Sequence, residues 1–165
     1  MPRAAILGTL PADAKGVEIV HFDPTGQWAR VSLGEISRLG LGAVSGDGPH
    51  HWTPGKLPSG MRCHGTEPFW SLNEVDGRMS YAEPDGQPRD LELRRVLDRG
   101  MAEDAMRALI AGDDRGRVTA VVQPGLCSDG MSDRDFGLSA TVILDGGDQP
   151  SRMLNGCCSV ARQGR

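Results

Sequence analysis

Three short segments hold most of the side chains that could do chemistry. Cys63-His64-Gly65-Thr66-Glu67-Pro68-Phe69-Trp70 puts an imidazole and a carboxylate three positions apart, with Trp70 beside them as a ligand platform. Cys127-Ser128-Asp129-Gly130-Met131-Ser132-Asp133-Arg134-Asp135 adds two hydroxyls and three carboxylates. Asn155-Gly156-Cys157-Cys158 supplies two adjacent thiols. If His64, Glu67 and a carboxylate of the Asp129–Asp135 loop met in one concavity, they would suit a small hydrolase using general acid and base groups. The flanking sequence does not strengthen that reading. No G-x-S-x-G elbow accompanies Ser128. The aspartates lack the D-x-[DN]-x-[DN]-G order of a calcium loop, and no phosphate-cradling glycine loop is present. The structural reading is that Gly65 and Pro68 fix a bend, Phe69 and Trp70 feed a core short of aromatics, and Asp129-Gly130 makes a reversal. No metal or cofactor is expected.

The cysteines constrain how these segments meet. There are four, an even count in a turn-rich region, which suits two disulfides with three possible connectivities. Reduced thiols and a zinc site are the alternatives, and zinc lacks the usual C-x-x-C spacing. A bridge between Cys157 and Cys158 would close a strained ring. Each is therefore expected to reach a different partner, one to Cys63 and the other to Cys127. That arrangement brings the first and last strands of the region together, as in a closed or nearly closed barrel. It also gathers His64, Glu67 and Asp129 at one end. Persistent disulfides point to an oxidising compartment.

The elements that must position these groups read as mainly β. Glycine (23 residues) and proline (11) favour many turns over long helices. Val17–Phe22 and Trp28–Leu33 flank the turn Asp23-Pro24-Thr25-Gly26 and predict a hairpin. Phe69–Val75 and Arg78–Ala82 flank Asp76-Gly77, the preferred type I′ dipeptide. Further strands are expected over Arg89–Val96, Arg117–Val122, Leu138–Leu144 and Met153–Leu154. Met101, Ala105, Met106, Leu109 and Ile110 fall at helical spacing and predict one short helix over 101–111. The chain divides at 4–45, a linker at 46–60, and a disulfide-stapled β domain at 61–162, read as a small barrel or rolled sheet.

Composition narrows the function classes. The formal net charge is −4 with no basic stripe, so a nucleic-acid partner lacks its electrostatic footprint. No apolar run reaches the roughly 18–20 residues of a membrane-spanning helix. The opening residues are also too short in apolar length for a signal peptide.

Two resemblances add to this reading. Ile6–Ala12, Gly16–Ile19 and Asp23–Val31, with Gly26-Gln27-Trp28-Ala29-Arg30-Val31 matching a G-x-W-x-x-V element, resemble part of a bacterial SH3-like domain. That family is a five-stranded barrel, so the resemblance implies a partial barrel in which His21, Phe22 and Trp28 could line a cell-wall peptide groove. The family's first strand and its closing S-G-W-V element are missing. Residues 38–56 are therefore read either as a genuine Gly/Pro-rich linker or as a closing strand in a shifted frame, since one deleted base would restore that element. The segments starting at Cys63, Cys127 and Asn155 resemble an uncharacterised family of bacterial envelope proteins and lipoproteins, with C-x-G-T-E-P-F-W, C-S-D-G-M-S-D-R and G-C-C motifs. This resemblance implies a periplasmic or envelope location and a mainly β fold. The reading is a non-enzymatic binding or structural module whose partner is a cell-wall peptide or another envelope protein. His64, Glu67, Trp70 and Asp129 are its candidate ligand residues, and the hydrolase is the alternative.

Overall fold

The computed structural model describes residues 19–22, 24–25, 28–33, 36–43, 53–101, 104–132 and 134–160. Among the described residues eleven strands carry the fold. β1 (Ile19–Phe22), β2 (Trp28–Leu33) and β3 (Ile36–Ala43) form a three-stranded antiparallel sheet in sequence order. β4 (Arg62–Thr66), β5 (Phe69–Val75), β6 (Arg78–Ala82), β7 (Arg89–Leu97), β8 (Arg107–Asp113), β9 (Gly116–Ser128), β10 (Asp135–Asp145) and β11 (Arg152–Ser159) close into a barrel. Every strand of the barrel pairs antiparallel with its neighbours in sequence, and β11 returns to β4. This up-and-down closure removes the free sheet edges that invite aggregation.

Alternation of side chains explains why the barrel forms. Leu72, Met79, Leu91, Leu109, Ala111, Val118, Ala120, Val122, Val142 and Leu154 recur at every second position and fill the interior. The expected hairpin at Asp76-Gly77 is present: both residues have positive φ, 50° and 79°, as a type I′ turn requires. Glu83-Pro84-Asp85-Gly86 also turns, with the Gly86 N–H donating to the Glu83 carbonyl at 3.1 Å.

The short helix over 101–111 is not what the chain forms. Arg107–Asp113 is strand β8, registered on one side with β7 and on the other with β9. Arg107, Leu109 and Ala111 point inward, and the helical spacing of neighbouring apolar residues is coincidental. Arg107 is buried at the end of the barrel. Its guanidinium donates to the carbonyls of Thr53, Lys56, Asp104 and Met106, so its polarity is satisfied by backbone. These bonds hold Thr53–Gly60, assigned to a linker from sequence, against the barrel, where Leu57 and Met61 join the core.

The N-terminal sheet differs from the five-stranded barrel that the SH3-like resemblance implies. Among the described residues it has three strands, including the expected hairpin. Ser37–Ala43, where the S-G-W-V element is missing, lies in β3, which pairs with β2 from Trp28↔Ala43 to Val31↔Gly40 and, past an irregularity, at Leu33↔Ile36. Residues 4–18 and 44–52 lie outside the described residues. Among the described residues no helix is long and apolar enough to cross a membrane.

Candidate functional site

The site is built on the outer wall of the barrel. Ser139 and Thr141 of β10, Asn155 and Cys157 of β11, and His64 and Thr66 of β4 alternate with interior residues, so they face outward on three adjacent strands. Register sets them side by side: Thr141 opposes Asn155, Ser139 opposes Cys157, and Cys157 opposes His64. A bulge between Phe136 and Leu138 interrupts the β9–β10 ladder. Beyond it the hairpin carries Cys127, Asp129 and Phe136 over this wall. The result is an open cleft of about 360 Å³, lined among others by His64, Thr66, Glu67, Asp129, Thr141 and Asn155.

The cysteine pairs fix this arrangement. Cys63 pairs with Cys158, and Cys127 pairs with Cys157, at S–S distances of 2.04 and 2.01 Å. Strand alternation resolves the puzzle of the adjacent cysteines. Successive residues of β11 point to opposite faces, so Cys158 enters the core and Cys157 faces the cleft. Each therefore has its own partner, as expected from sequence. Cys63 and Cys158 are also direct cross-strand neighbours at the seam that closes the barrel.

His64 is held on two sides. Its Nε2 lies 3.3 Å from Asp129 Oδ2, and its ring meets Phe136 edge-on at a centroid distance of 4.9 Å. Thr66 donates from Oγ1 to the Asp129 carbonyl at 2.7 Å. Asp129 organises its own loop: Oδ1 accepts the N–H groups of Met131 and Ser132 at 3.0 and 2.8 Å, and the Ser132 hydroxyl lies 2.9 Å from Oδ2. Burial pushes the Asp129 carboxyl upward. The N–H groups of Ser132 and Met131, the Ser132 hydroxyl and His64 outweigh burial and hold it well below the usual carboxylate range.

This shift has a consequence for acid stability. A carboxyl with a depressed folded pKa stabilises the fold above its unfolded value of about 3.9, and that contribution fades as the pH falls toward the folded value. Asp129→Asn is therefore expected to be less stable than the parent by about 1–3 kcal/mol at pH 7. The gap should narrow in acid below about pH 4. Urea unfolding at a series of pH values measures it, and a gap that stays constant down to pH 2 would refute the assignment.

The sequence-predicted residues divide cleanly. His64, Glu67 and Asp129 line one cleft. Trp70 does not line it. Its indole is buried inside the barrel, 3% exposed, and Nε1 donates to the Asn155 carbonyl at 3.3 Å. His21 is exposed on β1 of the N-terminal sheet, and the side chains of Phe22 and Trp28 lie outside the described residues, as does Asp133. Sequence reading missed Phe136, Thr66, Ser139, Thr141 and Asn155. The alternation Leu138-Ser139-Ala140-Thr141-Val142 carries the signal for two of them, since its polar members must share the outer face. No protein-family model, curated protein or solved structure matches the chain.

Proposed function

We propose that this chain is a binding module of an oxidising compartment outside the cytoplasm, and that the cleft over β10, β11 and β4 is its ligand site. The observation that supports this most is the meeting of His64, Thr66, Glu67, Asp129 and Asn155, from three distant parts of the chain, in one concavity. Hydroxyl, amide, imidazole and carboxylate groups together suit a polar ligand with amine and hydroxyl or amide groups. A cell-wall peptide of the envelope has that chemistry. Attachment through the N-terminal sheet, where His21 is exposed, belongs to the same proposal.

Binding is favoured over hydrolysis by how the polar groups are engaged. Both Asp129 oxygens are taken up by its loop and by His64, so this carboxylate orders structure. The thiols are taken up in pairs, which removes cysteine as a nucleophile. The hydrolase reading would need Glu67 to act with His64 on a bound substrate.

Titrating isotope-labelled protein with soluble cell-wall muropeptides is the direct test. Resonances of His64, Thr66, Glu67 and Asn155 should shift together and saturate, and Glu67→Gln should weaken binding about ten-fold through loss of one charged contact. Muropeptides that leave those resonances unmoved at millimolar concentration would sink the ligand assignment. Turnover of the muropeptides, abolished by Glu67→Gln, would instead establish the hydrolase.

A further inference from the structure

The two cysteine pairs occupy opposite sides of one strand and different environments. Cys63 and Cys158 are inside the barrel, 1% and 0% exposed. Cys127 and Cys157 both line the cleft; Cys157 is also only 1% exposed, so the difference lies in Cys127, which keeps part of its surface in solvent. The outer bridge ties the β9–β10 hairpin extension to β11, across the intervening β10 strand. It therefore anchors the very loop that carries Asp129 onto His64 and Thr66.

We propose that the Cys127–Cys157 bridge is a redox-sensitive clasp on the cleft, released by dithiol reductants while the Cys63–Cys158 bridge keeps the barrel closed. The inference rests on the cleft being the functional site, though its test reads the clasp and the loop rather than a ligand. The chemistry is ordinary thiol–disulfide exchange. A thiolate of the dithiol attacks Cys127 Sγ, the S–S bond breaks, and Cys157 leaves as a thiolate. The second thiol of the reductant, once deprotonated, attacks its own sulfur in the mixed disulfide and releases Cys127 as a thiolate. The reductant ends as a disulfide, two electrons pass to the cysteine pair, and solvent supplies the protons for the two thiols.

Access decides the order. The attacking sulfur can approach Cys127 from the cleft, whereas the inner pair is reached only when the seam opens. Release leaves the loop held by non-covalent ties, among them the Thr66–Asp129 and His64–Asp129 contacts and the ring contact of Phe136. The outer wall can then rearrange without disturbing the interior alternation that holds the barrel.

The test is stepwise reduction of the intact chain with dithiothreitol under native conditions, quenched by alkylation and read by peptide mapping. Labelled Cys127 and Cys157 should appear about ten-fold or more faster than labelled Cys63 and Cys158. At that stage the His64 ring resonances should move, while the resonances of interior residues such as Leu72 and Val118 stay in place. Cys127→Ser/Cys157→Ser should reproduce the same pattern without reductant. Joint reduction of all four cysteines, earlier reduction of the inner pair, or resistance of both until the chain unfolds would each overturn the clasp. Muropeptide binding that fails while the order of reduction holds would count against the ligand and leave the clasp standing.

Discussion

Replacing Cys63 and Cys158 together with alanine is expected to destabilise the barrel by about 4.7 kcal/mol, against about 3.6 kcal/mol for Cys127 and Cys157. The difference follows from the loops closed, which span 95 and 30 residues of sequence separation. Longer loops lose more freedom in the unfolded chain when they are cross-linked. Topology sharpens the contrast. The β11–β4 seam carries three registered pairs, whereas β10 and β11 share seven, so the inner bridge staples one of the shorter contacts in the barrel. Hydrogen exchange in the inner-pair variant should therefore rise first in β4 and β11. In the outer-pair variant it should rise first in residues 123–138. Before either measurement, thiol titration of unfolded, unreduced protein should find almost no free thiol. Four reactive thiols would remove the basis for both figures, and equal losses in the two variants would show that loop closure does not set the ranking.

Legibility from sequence followed the strength of local rules. Asp76-Gly77 was readable because a type I′ turn needs positive φ at both positions, and few dipeptides supply that cheaply. The cysteine partners were readable because a bridge between neighbours is strained, which left one mate for each. The meeting of His64, Glu67 and Asp129 followed from those bridges rather than from any catalytic motif. β8 was hidden for a definite reason. Its inward row begins with Arg107, and an arginine at that position breaks the apolar alternation that marks a strand. Only the structure reveals four backbone carbonyls waiting at the barrel end for its guanidinium. Trp70 was ambiguous because an aromatic beside a carboxylate looks the same in a core as on a binding surface. The bulge that swings Phe136 over His64 falls at Gly137, and a glycine inside a strand pattern is the one local mark it leaves.

Trp70→Ala is expected to cost about 3–5 kcal/mol, because it empties a large buried site in a barrel with few aromatics to collapse into the space. The environment of that ring supports a sharper prediction. Two glycines make room for it. A Cβ on Gly65 would fall 2.0 Å from Trp70 Nε1, and its next two neighbours are also indole atoms. A Cβ on Gly156 would meet the His64 carbonyl oxygen at 2.0 Å and Trp70 Cζ2 at 2.6 Å. Gly65→Ala and Gly156→Ala should therefore each destabilise the parent by overpacking, by about 1–3 kcal/mol or more. Their behaviour should part once the ring is gone. In the Trp70→Ala background the obstacles to Gly65→Ala vanish, so its added cost should fall to near zero. Gly156→Ala still meets the backbone of β4 across the closing seam, so most of its cost should remain. Denaturant unfolding of the four single and double combinations for each glycine gives the two coupling energies directly. Equal coupling in both cycles would mean that the indole alone dictates both glycines and that the seam has slack. Absence of coupling at Gly65 would mean that the ring does not lie over β4 as described, and Trp70 would return to the list of residues free to meet a ligand.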